Sequence, residues 1–247
     1  MICDIAEFFH IEAADGTLPG LLAMYDFPDA VAFGDLLFGF GGRDSFEEGL
    51  VTERFTWAAE MAPRQRRARR GVKTIAKVTP TILEWNNHRP QMERRQGIRW
   101  MDGSGKGVPR KFRVGVDRGY DVRGRYSDAW LAHYSVRSCE SMLLKFDRGD
   151  AVRQQRLRPH YARKRSSARE VNETMLRYGD AIRAEMAHLL EDKILRNLHH
   201  AAIAAHRARI DALKYDPKLQ ENWATIRAVC EEEIALRQSL EQEGASN

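Results

Sequence analysis

Residues Ser127–Gly149 read SDAWLAHYSVRSCESMLLKFDRG. A short apolar run, Ala129-Trp130-Leu131-Ala132, delivers two polar aromatics, His133 and Tyr134. The period then changes. Val136, Met142, Leu143 and Phe146 fall near one helical face, while Arg137, Ser141, Lys145 and Arg148 fall mostly elsewhere. Gly149 supplies the stop expected after a helix. The stretch therefore predicts a buried strand that turns straight into a helix and sets an imidazole at the carboxyl edge of a sheet. In open α/β sheets that edge is where ligands bind.

Upstream of it, Met1–Phe9 reads as a largely buried strand of the parallel-sheet kind, with Ile2, Cys3, Ile5, Phe8 and Phe9 inside and acids at its end. The chain begins inside that strand, without a cap or turn before it. Thr17 is placed to N-cap a helix over Leu18–Tyr25, with Pro19 near its first position. Ala30–Phe40 is the next strand, and Gly39, Gly41 and Gly42 predict a bend after it. Arg43–Thr56, carrying Asp44, Glu47, Glu48 and Glu53, reads as a loop. Seven Lys or Arg and no acid lie between Met61 and Lys77, and Val72–Val78 alternates as a strand does. Ile82–Trp85 leads to His88-Arg89-Pro90, and Ile98–Met101 with Lys111–Val114 flank Asp102-Gly103-Ser104-Gly105 as a hairpin.

Downstream, Ala168–Glu243 is helix-forming, with Val171, Met175, Ile182, Met186, Leu189, Leu190, Ile194 and Leu198 near a 3.6 period. Asp216-Pro217 is an N-cap and first position for a final helix, Lys218–Leu240. The fold class expected is α/β. A mixed sheet with flanking helices occupies residues 1–150, and a helical tail occupies 151–247.

Hydrophobic residues at 43% and charged residues at 30% belong to a folded globular chain rather than a disordered one. A formal net charge of +5 is too small to demand nucleic acid as a partner, and none is expected. Cys3, Cys139 and Cys230 are odd in number and far apart, which is neither a disulfide framework nor a zinc knuckle. A reducing, cytoplasmic setting is the reading that follows. No apolar run reaches the ~20 residues that span a bilayer, and the acids of MICDIAEFF replace the basic start of a signal peptide.

Asp4 and Glu7 can hold a divalent metal, since hard cations take carboxylate oxygens, or can simply solvate a strand end. His133 reads as a metal ligand, a donor to phosphate or a hydrogen-bonded structural residue. Arg89 can fork onto a phosphate or tie down a turn. The Arg64–Arg70 run can meet an anionic polymer or form a solvated loop, and it lacks the aromatics that stack on bases.

Taken in order, these pieces resemble the later part of bacterial family 2 glycosyltransferases of GT-A fold, in the subgroup whose acidic motif reads Asp-x-Asp-Glu-Phe. The motif corresponds to Asp4-Ile5-Ala6-Glu7-Phe8, followed by Asp15-Gly16-Thr17. Phe38-Gly39-Phe40-Gly41-Gly42, Val51-Thr52-Glu53-Arg54-Phe55, Lys73-Thr74-Ile75, His88-Arg89-Pro90 and Asp102-Gly103-Ser104-Gly105 follow at matching places. So does His133-Tyr134…Arg137-Ser138…Glu140-Ser141…Lys145…Asp147-Arg148-Gly149. The resemblance implies transfer of a sugar from a nucleotide-diphosphate donor to a glycan or other hydroxyl acceptor, with inversion, assisted by divalent Mn or Mg. It implies Asp4, Glu7 and His133 as metal ligands and Lys73, His88, Arg89 and Lys145 as groups on the donor phosphates. Glu53 would be the general base, with Asp44 and Glu48 as rivals.

The chain departs from the family in two respects. Ala6 replaces the middle acid of the motif, and the donor-nucleotide half would lie before residue 1. A sheet without that half would leave an open edge for a protein partner or a second copy. The rival expectation is accordingly a catalytically inactive module that docks a partner through that edge or through the helical tail.

Overall fold

The computed structural model describes residues 1, 3–62, 69–92, 97–149, 157 and 160–245. In chain order its elements begin with β1 (Glu7–Ile11), α1 (Leu18–Met24), β2 (Ala30–Leu37), α2 (Val51–Arg54), β3 (Trp57–Ala58) and β4 (Arg69–Ala76). Then come β5 (Ile82–Trp85), β6 (Pro90–Met92), β7 (Trp100–Asp102), α3 (Arg110–Val114), β8 (Gly119–Asp121) and β9 (Ala129–His133). Helices α4 (Cys139–Arg148) and α5 (His160–Arg165) precede β10 (Glu170–Val171), and α6 (Gly179–Leu189), α7 (Lys193–Leu213) and α8 (Gln220–Ala245) follow it. The chain is mixed α/β and forms two compact units: residues 1–36 with 60–133, and residues 37–59 with 134–247.

The first unit is built on a six-stranded mixed sheet in the order β1-β9-β2-β4-β8, with β7 also on β2. β2 pairs antiparallel with β4 and parallel with β7. Neighbours on both sides explain why nearly all of AVAFGDLL is buried, and why it reads as a continuous apolar run rather than an alternation. Against the sheet sits α1, started by Thr17, whose hydroxyl accepts from the Gly20 amide. Its Leu21 packs with Ile11, Tyr25, Val31, Phe33 and Ala129.

Two expectations are corrected in this unit. β1 starts at Glu7, not Met1, and runs antiparallel to β9 as an outer strand. Ile5, expected inside, is 93% exposed, and Cys3 is exposed. The Glu7 amide donates to the Asp4 carbonyl at 3.0 Å, so Asp4 and Glu7 bracket a turn that enters the strand. The partner strand β9 ends at His133, opposite Glu7, so Cys3–Ala6 has no ladder to join, and Ile2, also expected inside, lies outside the described residues. The hairpin around Asp102 forms with a nearer second arm than expected: Met101 bridges antiparallel to Gly107, the Asp102 amide donates to the Lys106 carbonyl at 2.8 Å and the Val108 amide to the Trp100 carbonyl at 3.0 Å, whereas Lys111–Val114 lies in α3. Asp102 Oδ1 accepts from the Ser104 amide and hydroxyl and from the Lys106 amide, closing the hairpin turn.

The second unit is helical around α4. Ser138 caps this helix and Gly149 ends it at φ 79°. Val136, Met142, Leu143 and Phe146 are all buried, as their spacing predicts, and pack with Leu213, Ile226, Val229 and Cys230 of α7 and α8. The stretch from Ser127 to Gly149 is thus divided between the units at the His133–Tyr134 bond. Arg43–Thr56, read as loop, contains the one-turn helix α2. Asp216 begins a 3₁₀ turn, Pro217–Leu219, that runs into α8.

The apolar series of the tail does not form one buried face. Asp192 restarts the helix by accepting from the Ile194 and Leu195 amides. The turn before it leaves Leu189, Ile194, Leu195 and Leu198 exposed, Ile194 at 71%. The buried residues of α7 lie at its other end, Ile210 and Leu213. Among the described residues no helix is long and apolar enough to cross a membrane.

Candidate metal centre

Three neighbouring strands of the first unit bring together Glu7, Asp35 and His133. Glu7 opens β1 and His133 closes β9, and the antiparallel register sets them directly opposite each other. Asp35 comes from β2, the neighbour of β9 on its other side. His133 Nδ1 lies 3.7 Å from Glu7 Oε1 and 3.5 Å from Asp35 Oδ2. One ligand atom from each of the three falls within 4.8 Å of the other two.

These separations are too long for good hydrogen bonds. Neither His133 Nδ1 nor Asp35 Oδ1 has a hydrogen-bond partner among the described residues, and both atoms are buried. Unpaired polar atoms in an interior are costly, and buried ones are normally satisfied. A divalent ion bonded at ~2.1 Å holds its ligands roughly 3.0–3.4 Å apart, so the two separations from His133 fit one with a contraction of a few tenths of an ångström.

Space for the cluster comes from β4. A Cβ on Gly71 would lie 2.7 Å from Asp35 Oδ2, so any larger residue would push that carboxylate aside. Two residues on, Lys73 is only 1% exposed, and its ammonium lies 3.2 Å from Glu7 Oε2 and 3.3 Å from Asp4 Oδ2. Burial pushes the Glu7 carboxyl above the usual glutamate value, against the pull of the Asp4 amide, His133 and Lys73. His88 donates from Nδ1 to the Val72 carbonyl at 3.1 Å, and burial lowers its pKa, which favours a neutral ring with Nε2 as acceptor.

Of the residues singled out in the sequence, Glu7, His133, Lys73 and Asp4 meet here, with Asp4 facing Lys73 rather than the imidazole. Arg89 belongs to the same unit but is consumed by structure. It donates to the carbonyls of Pro90, Phe112 and Arg113, the last two in the final turn of α3, and stacks over Trp100 and Phe112. No donor of Arg89 aimed at a phosphate is described. Instead the guanidinium caps carbonyls that a helix end leaves unpaired.

Lys145, Asp44 and Glu53 lie in the second unit. Lys145 donates to the Ser135 carbonyl at 2.8 Å and sits over Tyr161. Glu53 pairs with Arg183, and Asp44 has Arg227 at 3.8 Å. Residues 63–68 of the basic run lie outside the described residues.

Asp35 was missed by sequence reasoning. The available signal was an acid in the middle of the apolar run AVAFGDLLFGF, where burial of a charge calls for a partner or an ion. Comparison with family models, with curated proteins and with solved structures finds no match to the chain.

Proposed function

We propose that the chain is a glycosyltransferase that moves a sugar from a nucleotide-diphosphate donor to a hydroxyl acceptor, with inversion and the help of a divalent ion. The observation that carries this reading is the juxtaposition of the half-buried His133 imidazole with the buried Glu7 carboxylate on adjacent strands, at two of the positions where the motif resemblance expects metal ligands. A bound Mn or Mg ion would supply positive charge against the leaving diphosphate. Glu7 and His133 would hold the ion, with the Lys73 ammonium keeping the Glu7 carboxylate oriented through its other oxygen. His88, with Nδ1 committed to a carbonyl, would offer Nε2 to a donor hydroxyl. Arg89 has no part in this reading, because its guanidinium is covered. Glu53 as general base, with Asp44 and Glu48 as alternatives, and Lys145 on the donor phosphates are roles that the motif resemblance alone implies; all four belong to the second unit, and this reading draws on residues of the first unit only.

The reading is tested with a panel of nucleoside-diphosphate sugars and Mn²⁺, following melting temperature and release of free nucleoside diphosphate. A rise of several degrees with one donor family, lost in His133→Ala, is the expected result. No shift and no release across the panel would leave the second reading, a binding module. The exposed apolar row Leu189, Ile194, Leu195 and Leu198 favours that alternative, since contiguous apolar patches on a surface mark interaction sites.

A further inference from the structure

The geometry points to a first-row transition-metal centre in which Asp35 is the third protein ligand and Asp4 is not a ligand at all. This inference rests on the same cluster as the transfer reading, but needs neither the sugar nor the nucleotide.

Charge supplies the first argument. Asp4, Glu7 and Asp35 stand against the single ammonium of Lys73, which leaves two negative charges uncompensated when His133 is neutral. Two carboxylates in so buried a place are costly unless a cation joins them. The pairing also shows which acid is spoken for. Lys73 touches Asp4 Oδ2 and Glu7 Oε2, whereas Glu7 Oε1 and Asp35 Oδ2 are the oxygens turned toward His133 Nδ1. Lys73 and a metal ion can therefore be present together, on different oxygens of Glu7. Asp4, with a side chain 60% exposed, balances the lysine and leaves Glu7 and Asp35 to balance the ion.

Ligand chemistry supplies the second. Asp35 is a buried side chain, 4% exposed, and its Oδ1 has no partner among the described residues. It lies in the space that Gly71 keeps open. An imidazole nitrogen with two carboxylate oxygens suits zinc, manganese or cobalt, whereas magnesium and calcium favour oxygen and water. Three protein ligands leave at least one position open, as in metal sites that bind an exchangeable oxygen ligand.

The full chain, stripped with a chelator, is titrated with Co²⁺ and followed by its visible absorption, with Mg²⁺ as the control cation. One equivalent of Co²⁺ should bind with the intense visible bands of a low-coordinate site and raise the melting temperature, with Mg²⁺ at least ~10-fold weaker. Asp35→Asn should weaken Co²⁺ by on the order of 100-fold, and Asp4→Asn by less than about 10-fold. Circular dichroism and the metal-free melting temperature of each variant report whether it has folded. Equal losses in both variants, an unaffected Asp35→Asn, or no cobalt bands in the unaltered chain would each overturn the inference. Cobalt uptake that depends on Asp35 supports it even if no nucleotide sugar binds, and in that case only the transfer reading fails.

Discussion

Asp35 and Glu233 are both acids in an interior, each set against a glycine, and they are treated in opposite ways. Glu233, on α8 in the second unit, accepts from the Phe40 amide at 2.8 Å, the Gly41 amide at 3.2 Å and the Ser166 hydroxyl. Gly39 leaves room for its carboxylate. Asp35, in the first unit, has a buried oxygen with no donor among the described residues and an imidazole nitrogen 3.5 Å from its other oxygen, too far for a good hydrogen bond. A carboxylate satisfied by backbone donors is a structural staple. One left short of donors is a place where a further group fits.

That contrast is broken most severely at the satisfied acid. Replacing Glu233 by Ala strands the buried Phe40 amide and the half-buried Gly41 amide and Ser166 hydroxyl, so unfolding free energy should fall by roughly 3 kcal/mol. Denaturant titration measures this, and a loss below about 1 kcal/mol would show that the donors find water instead. A smaller effect of opposite sign is expected in the first unit. In metal-free protein, Asp35→Asn removes an uncompensated charge and offers an amide donor to Glu7 and His133, and it should raise stability by about 1 kcal/mol. Destabilisation of the metal-free chain would mean that Asp35 is a staple too.

The smallest effect concerns pH. Burial raises the Glu233 carboxyl above its ordinary value, outweighing Ser166, the amides of Phe40 and Gly41, and Arg169. Between its unfolded and folded values the folded chain keeps a proton that the unfolded chain has lost. The stabilising contribution of this group is therefore complete below the unfolded value, and is lost as pH rises through the folded one. Unfolding midpoints between roughly pH 4 and pH 7 should decline less in Glu233→Gln than in the unaltered chain. Identical profiles would assign the pH dependence to other groups.

Elements whose stability is local were legible in the residues. The Thr17 cap, the 3.6 spacing of α4 with Gly149 behind it, and the Asp216 start of the last helix stand where their side chains require. The start of β1 was not legible, because Ile5 is as apolar as a core residue and only the absence of a neighbouring strand exposes it. The tail misled for a related reason. Periodic apolar residues predict a helix, but what covers the helix depends on where Asp192 restarts the chain.

The candidate centre divides in the same way. Chemistry-bearing residues at Glu7 and His133 could be named from the sequence alone, since an acid and an imidazole beside apolar runs mark themselves by composition. Which groups meet was a matter of register. Strand pairing set Glu7 opposite His133, placed Asp35 beside them through a strand distant in sequence, and turned Asp4 toward Lys73. Local residue preferences carry little information about such long-range pairing. It arises when the sheet buries its shared face, and that burial is a property of the assembled strands.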